Sequence, residues 1–277
     1  MNSTVKRSIS GVLFLAIVLG GLLFNEVPFV ILFAFITAVM LYEFYRMTMG
    51  ETYKNLQIEG IILGLFFFIC GFRYYAGENG AGRLLAMAIL FLVLLMCATV
   101  LENDHNGFLK TGYLLAGQVY ITLPMALSPA VVYASGQYNG LLMVAFFIII
   151  WSSDVGAYCF GMLFGQKGNA RKMCPEISPK KSWAGFWGGL AASVLAGAIL
   201  YWTGLFKFPI WHALTVAAIM NVAGVFGDLF ESLWKRAAHV KDSGKIMPGH
   251  GGLMDRFDSA LFAIPAGFVY LMLFNLV

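Results

Sequence analysis

Apolar residues run along this chain in stretches of about twenty, separated by short polar connections. A helix of about 20 mainly apolar residues spans the roughly 30 Å hydrocarbon core of a bilayer. The pattern predicts membrane spans near 8–24, 27–45, 58–76, 83–101, 112–134, 140–164, 183–205, 209–233 and 257–277. Gln118, Pro124 and Pro129 interrupt the fifth, which is expected to be a broken helix. The first span follows Lys6 and Arg7 with no small-residue cleavage site after it, so an uncleaved first helix is expected. The expected fold is an all-α polytopic membrane protein of about nine transmembrane helices, with a polar cavity open to the cytoplasm. The expected organisation is one integral-membrane domain over 1–277, with N-terminal transmembrane helices in 1–139 and a catalytic half carrying the sequence motifs in 140–277.

Composition narrows the class further. Of 277 residues, 60% are hydrophobic and 12% charged, against about 45–50% and about 25% in soluble domains. So little charge cannot cover a water-facing surface, and disorder would need low hydrophobicity. Cys70, Cys97, Cys159 and Cys174 form no Cys-x-x-Cys pair and read as core packing. The net charge of +4 comes with no basic face interleaved with aromatics, so nucleic acid is not an expected partner.

The placement of the 18 basic residues says more than their number. With nine spans, one side collects Lys6, Arg7, Arg46, Lys54, Lys110, Lys167, Arg171, Lys172, Lys180, Lys181, Lys235, Arg236, Lys241, Lys245 and Arg256. The other collects Arg73, Arg83 and Lys207. Lys and Arg are retained on the cytoplasmic side, so the N-terminus is expected inside and the C-terminus outside. No internal repeat is visible, as an inverted-repeat transporter would have. The connections 166–182 and 234–256 hold ten of the fifteen.

Those connections flank the spans with the most expensive residues. A charge at mid-bilayer costs about 2.5–3.5 kcal/mol on insertion scales. Asp154 falls mid-span, Asp228 and Glu231 lie in Gly227-Asp-Leu-Phe-Glu231, and Asp258-Ser259 opens the last span. Glu43 and Asp258 read equally well as helix-end acids reaching the interface. Asn221, Asp228 and Lys235 are seven apart, with Gly224, Glu231 and Ser232 on the same helical face. Lipid would expel such a stripe, so it is expected to face protein, water or a metal. Gly185, Gly189, Ser193 and Gly197 recur every fourth residue, as do Ala157, Gly161 and Gly165, which predicts close helix packing.

Two segments suggest anion chemistry. Ser178-Pro179 resembles an N-cap followed by a first-turn proline, which predicts a helix starting there. Lys180 and Lys181 would then oppose the helix dipole unless a bound anion reversed the sign. Simple retention of lysines at the headgroups reads equally well. Pro248-Gly-His-Gly-Gly252 is a turn whose missing side chains let backbone N–H groups approach a ligand. Asp228 and Asp255 flank that loop, and hard carboxylates beside many cations suggest Mg²⁺ holding a polyphosphate. Zinc would want Cys and His at fixed spacing, which His239 and His250 lack.

The run Ser232-Leu-Trp-Lys-Arg236, Lys241-Asp242 and Pro248-Gly-His-Gly-Gly-Leu-Met-Asp-Arg-Phe-Asp258 resembles the signature of phosphatidate cytidylyltransferases, the CDP-diacylglycerol synthases. Asp154-Val-Gly-Ala-Tyr158 resembles the upstream aspartate motif of that family, and Ser178-Pro-Lys-Lys-Ser-Trp-Ala-Gly185 its Ser-Pro-x-Lys-Thr motif. Ala184 departs from the Glu or Gln of many relatives, and Trp234 from an aliphatic residue or Phe. The resemblance implies transfer of CMP from CTP to phosphatidic acid, with Mg²⁺ on Asp228 and Asp255 and a second cation left open. It implies catalytic roles for Asp228, Asp255, Lys235, Arg236 and Asp258. It implies substrate contacts from Ser178, Lys180, Lys181, Lys241, Asp242, His250, Gly251, Arg256, Asp154 and Glu231. It further implies a homodimer in the cell membrane, among membrane lipid, with its active site facing the cytoplasm. Rival readings are another CTP-dependent lipid enzyme, such as a polyprenol or phytol kinase or an archaeal-lipid cytidylyltransferase, and an ion-coupled transporter.

Overall fold

The structure, a computed structural model, describes residues 3–101, 106–167, 170–247 and 251–277. Every predicted span coincides with helix. The elements are α1 (Ser3–Leu23), α2 (Glu26–Met49), α3 (Lys54–Tyr75), α4 (Ala81–Leu101), α5 (Gly107–Gly117), α6 (Leu123–Val132), α7 (Leu141–Phe164), α8 (Trp183–Trp202), α9 (Ile210–Ala237) and α10 (Met254–Leu273). Among the described residues, eight stretches are long and apolar enough to cross a membrane, with Gly107–Val132 taken as one, and α1 adds the shorter apolar segment Ser10–Leu23. The protein is an all-α, multi-pass integral membrane protein.

The fifth span is broken, as its sequence predicts. A π-helical turn over Gln118–Thr122 joins α5 to α6. Pro124 has no N–H to donate and its ring crowds the carbonyl four residues back, so the wider turn falls where a regular ladder would fail. The turn carries Gln118, whose Nε2 donates to the Tyr45 hydroxyl at 2.9 Å and to Gly60 O at 2.8 Å. Those bonds satisfy polar groups that lipid could not.

The chain forms two compact units. The first comprises Met1–Asn139 with Asp242–Arg256. Its core is built on α2, which buries Phe29, Phe33, Met40, Leu41, Phe44 and Tyr45 against its neighbours. Between α3, α4 and the broken span lies an apolar cavity of about 580 Å³, with Gln118 and Thr122 in its wall.

The second unit comprises Gly140–Lys241 with Phe257–Val277. Its helices approach closely because small residues meet, as the four-residue spacing predicts. A Cβ on Gly185 would stand 3.0 Å from Ala157 O and 3.5 Å from Gly161 Cα. On Gly156 it would lie 2.6 Å from Gly188 O, so α7 and α8 touch backbone to backbone. Ser153 Oγ donates to Asn221 Oδ1 at 2.6 Å, inside the same packing.

The helix predicted to start at Ser178 is instead a strand. Residues Lys172–Cys174 (β1) and Ser178–Ser182 (β2) pair as an antiparallel hairpin. Ser182 is the true N-cap of α8, its side chain accepting from Gly185 N at 3.2 Å. Both serines satisfy a local capping rule, but the strand partner of Ser178 lies outside the window that rule inspects. Lys180 and Lys181 therefore occupy an extended strand and do not oppose a helix dipole.

Candidate active site

The polar stripe on α9 faces protein. Asn221 and Glu231 are buried, while Asp228 and Lys235 are partly covered. Glycines make this possible. At Gly224 an added Cβ would meet Ser259 Cβ at 3.5 Å, and at Gly227 it would lie 2.5 Å from Asp258 O. Asp258 and Ser259 of α10 thus lie directly on α9, and Asp258 comes to the acids of the stripe. Ligand oxygens of Asp228, Glu231 and Asp258 all lie within 4.8 Å of one another.

Two lysines compensate this cluster. Lys181 Nζ is 2.7 Å from Asp228 Oδ2 and 3.4 Å from Val225 O. Lys235 Nζ is 3.2 Å from Glu231 Oε2, one helical turn along the same stripe. On β2, Lys181 turns to α9 while Lys180 is exposed. The acids outnumber these two ammonium groups, and their mutual spacing would be costly without further positive charge. Three hard carboxylate oxygens converging from two helices fit Mg²⁺, which favours few carboxylates and completes its shell with phosphate oxygens or water.

The other sequence candidates take different positions. Arg236 is exposed, its guanidinium donating to Ile177 O and Val240 O at 3.2 Å each. Ser178 is half-buried on β2. Asp154 is exposed near the middle of α7, and Lys241 and Asp242 are exposed after α9. His250 lies outside the described residues. Gly251 has φ 86°, a left-handed conformation that glycine adopts without strain. Arg256 is exposed in the first turn of α10.

Asp255, expected to share a metal with Asp228, belongs to the first unit. Its Oδ2 accepts from Gly252 N at 2.7 Å, Ser243 N at 3.1 Å and Ser243 Oγ at 3.1 Å. A carboxylate reaching back to an N–H three residues earlier resembles half of a capping box at the α10 start.

Sequence reasoning assigned no site role to Glu43, which it treated as a helix-end acid. The residue is 2% exposed and bonded to the segment before α10. A signal was present: Glu43 follows Met40-Leu41-Tyr42 within an apolar run, an expensive place for an unpartnered acid. Asp258 was given a catalytic role without a metal.

A multi-pass membrane protein that gathers three carboxylates and two lysines from two helices and a strand has the donor set of an enzyme for phosphorylated, cation-bound substrates. The chain belongs to the cytidylyltransferase family, whose model matches residues 5–274. It is similar to the phosphatidate cytidylyltransferase of Bacillus subtilis strain 168, 33% identical over 273 residues that cover 98% of each chain. It is 35% identical over 265 residues to the enzyme of that name from Staphylococcus epidermidis, covering 95% of each chain. For Staphylococcus aureus strain COL the figures are 34% over 266 residues and again 95% of each chain.

Proposed function

We propose that this protein is a phosphatidate cytidylyltransferase, transferring CMP from CTP to phosphatidic acid to give CDP-diacylglycerol and pyrophosphate. Full-length similarity to enzymes of that name supports the reaction. The observation that carries the chemistry is the cluster of Asp228, Glu231 and Asp258 with Lys181 and Lys235 attached. A phosphate oxygen of phosphatidate forms a bond to the α-phosphorus of CTP. The bond from that phosphorus to the α–β bridging oxygen breaks, and pyrophosphate leaves with the electron pair.

Both reactants are anions, so the chain must supply positive charge and orientation. Phosphate monoesters have a second pKa near 6, so the attacking group is ionised at neutral pH and needs no strong general base. Lys181 and Lys235 pair with carboxylates and can transfer their hydrogen bonds to phosphate oxygens. Asp228, Glu231 and Asp258 would hold Mg²⁺, which when bound neutralises charge on the leaving pyrophosphate. Arg236, Lys180, Ser178, Lys241, Asp242, Gly251, His250, Arg256 and Asp154 are assigned to substrate handling from the motif match. Asp255 is assigned there to catalysis.

The test is detergent-purified protein with phosphatidate, Mg²⁺ and CTP labelled separately in cytidine and in the γ-phosphate. Cytidine label in the lipid supports the reading, whereas γ-phosphate label in the lipid identifies a kinase. Light scattering on the same preparation reports whether it is the proposed homodimer.

We further propose that the N-terminus and the acid cluster face the cytoplasm and the C-terminus lies outside, from the partition of basic residues. In a cysteine-free background, an impermeant thiol reagent added to intact cells should label a cysteine placed at Val277 and spare one placed at Lys54. The reverse pattern would invert the topology.

A further inference from the structure

We propose that Glu43, outside all the signature blocks, is a positioning residue that holds the Asp242–Arg256 segment in its working conformation. The functional consequence rests on the cytidylyltransferase reading above; the positioning itself does not. Glu43 sits near the C-terminal end of α2, and both it and the segment belong to the first unit. Its Oε1 accepts from Leu253 N at 3.0 Å. Its Oε2 accepts from Met254 N at 2.8 Å and lies 3.2 Å from Ser243 Oγ. One carboxylate thereby gathers two backbone N–H groups at the start of α10 and a hydroxyl ten residues earlier.

These N–H groups are among those that a helix start leaves without intrahelical partners. A cap usually comes from within a few residues; here it comes from 210 and 211 residues away. The segment is shaped around the acid. A Cβ on Gly244 would collide with Glu43 Oε1, and one on Gly252 would collide with Ser243 Oγ and lie 2.5 Å from Glu43 Oε2. Neither glycine has positive φ, so the absent side chain there serves the close approach of the carboxylate.

Ser243 couples Glu43 to Asp255. Its hydroxyl oxygen is 3.2 Å from Glu43 Oε2 and 3.1 Å from Asp255 Oδ2, and its single proton can serve one of them at a time. Displacing Glu43 would therefore loosen the contacts that orient the Asp255 carboxylate, though Glu43 need not touch substrate.

The chemistry makes an unusual ranking of substitutions. Gln matches Glu in shape but turns an amide donor towards an N–H that is itself a donor. Asp is one methylene shorter but keeps two acceptors. We expect Glu43→Gln to lower kcat/KM by about 10–100-fold, the range for leaving a buried donor unsatisfied. Glu43→Asp should retain more activity than Glu43→Gln. A role in packing alone gives the opposite order, and that order would overturn the proposal.

A second readout does not depend on the reaction. Lys245 is exposed within the segment, and Lys54 is exposed at the start of α3. In detergent, trypsin should cut after Lys245 at least about tenfold faster in Glu43→Gln than in wild type, as a buried bond is lost. Cleavage after Lys54 should be unchanged. Equal cleavage at Lys245 in the two proteins would sink the idea whatever the activity. Faster cleavage in a wild-type background that transfers no cytidylyl group would uphold the positioning and defeat the functional reading. Should Glu43→Gln fail to accumulate, Gly244→Ala poses the question from the other side of the contact. Faster cutting at Lys245 supports the proposal there, and unchanged cutting overturns it.

Discussion

Asp228→Asn and Asp258→Asn are each expected to lower turnover by at least about 100-fold, the equivalent of about 2.7 kcal/mol of charge stabilisation from a bound cation. Asn keeps the size and a carbonyl acceptor but removes the charge that holds a hard divalent ion. Folding should survive. The three acids lie within 4.8 Å of one another, so neutralising Asp258 relieves like-charge repulsion when no ion is present. A second readout is thermal: Mg²⁺ should raise the melting temperature of wild type by binding the folded state, and should do so much less in either variant. EDTA should abolish wild-type turnover and added Mg²⁺ restore it. Near-normal turnover with an intact Mg²⁺ shift in Asp258→Asn would exclude this cluster as the metal site. Asp255 and Asp154 would then be the next carboxylates to replace.

Lys181→Ala should cost about 100-fold in kcat/KM, the lower end of what removing one preorganised charge-stabilising donor costs an active site. The ammonium is 2.7 Å from Asp228 and only partly exposed, so its loss removes a phosphate-binding charge and strips compensation from the acid. Lys181→Arg keeps the charge but replaces a compact donor with a planar fork, so it should recover only part of the activity. The exposed Lys54, which has no assigned role, makes the control, since an alanine there removes an equal charge. Equal losses for Lys54→Ala and Lys181→Ala would mean that net charge matters and the Lys181–Asp228 geometry does not.

Much of the architecture was legible because a bilayer constrains sequence harshly. A span must be apolar for about 20 residues, so helix positions could be read without knowing any contact. The break at Gln118–Thr122 was legible because proline acts on its own backbone and the carbonyl four residues back. The protein-facing stripe on α9 was legible because Asp228, Glu231 and Lys235 share one helix, whose pitch sets their common face. Close packing of α7 on α8 followed from small residues at four-residue spacing.

What escaped was set by partners far along the chain. Ser178-Pro179 satisfies the local rules for a helix start, yet pairing with Lys172–Cys174 makes it a strand. A hairpin forms or fails by the fit of two segments, whereas a cap is judged on four residues. Asp255 and Asp258 both stand within the first turns of the same helix, three residues apart, and that spacing does not tell which neighbours each one meets. One meets Ser243 and Gly252, the other the acids of α9.

The sequence by itself determined that this is a membrane protein, where its spans run, which helix carries a charged stripe and which family's motifs it bears. These properties belong to single segments, and water, lipid and backbone geometry act on each segment alone. Only the tertiary structure decided that Asp258 joins Asp228 and Glu231, that Lys181 reaches Asp228, and that Glu43 caps a helix 210 residues away. A hydrogen bond or ion pair acts over about 3 Å, and sequence separation carries almost no information about distances that short.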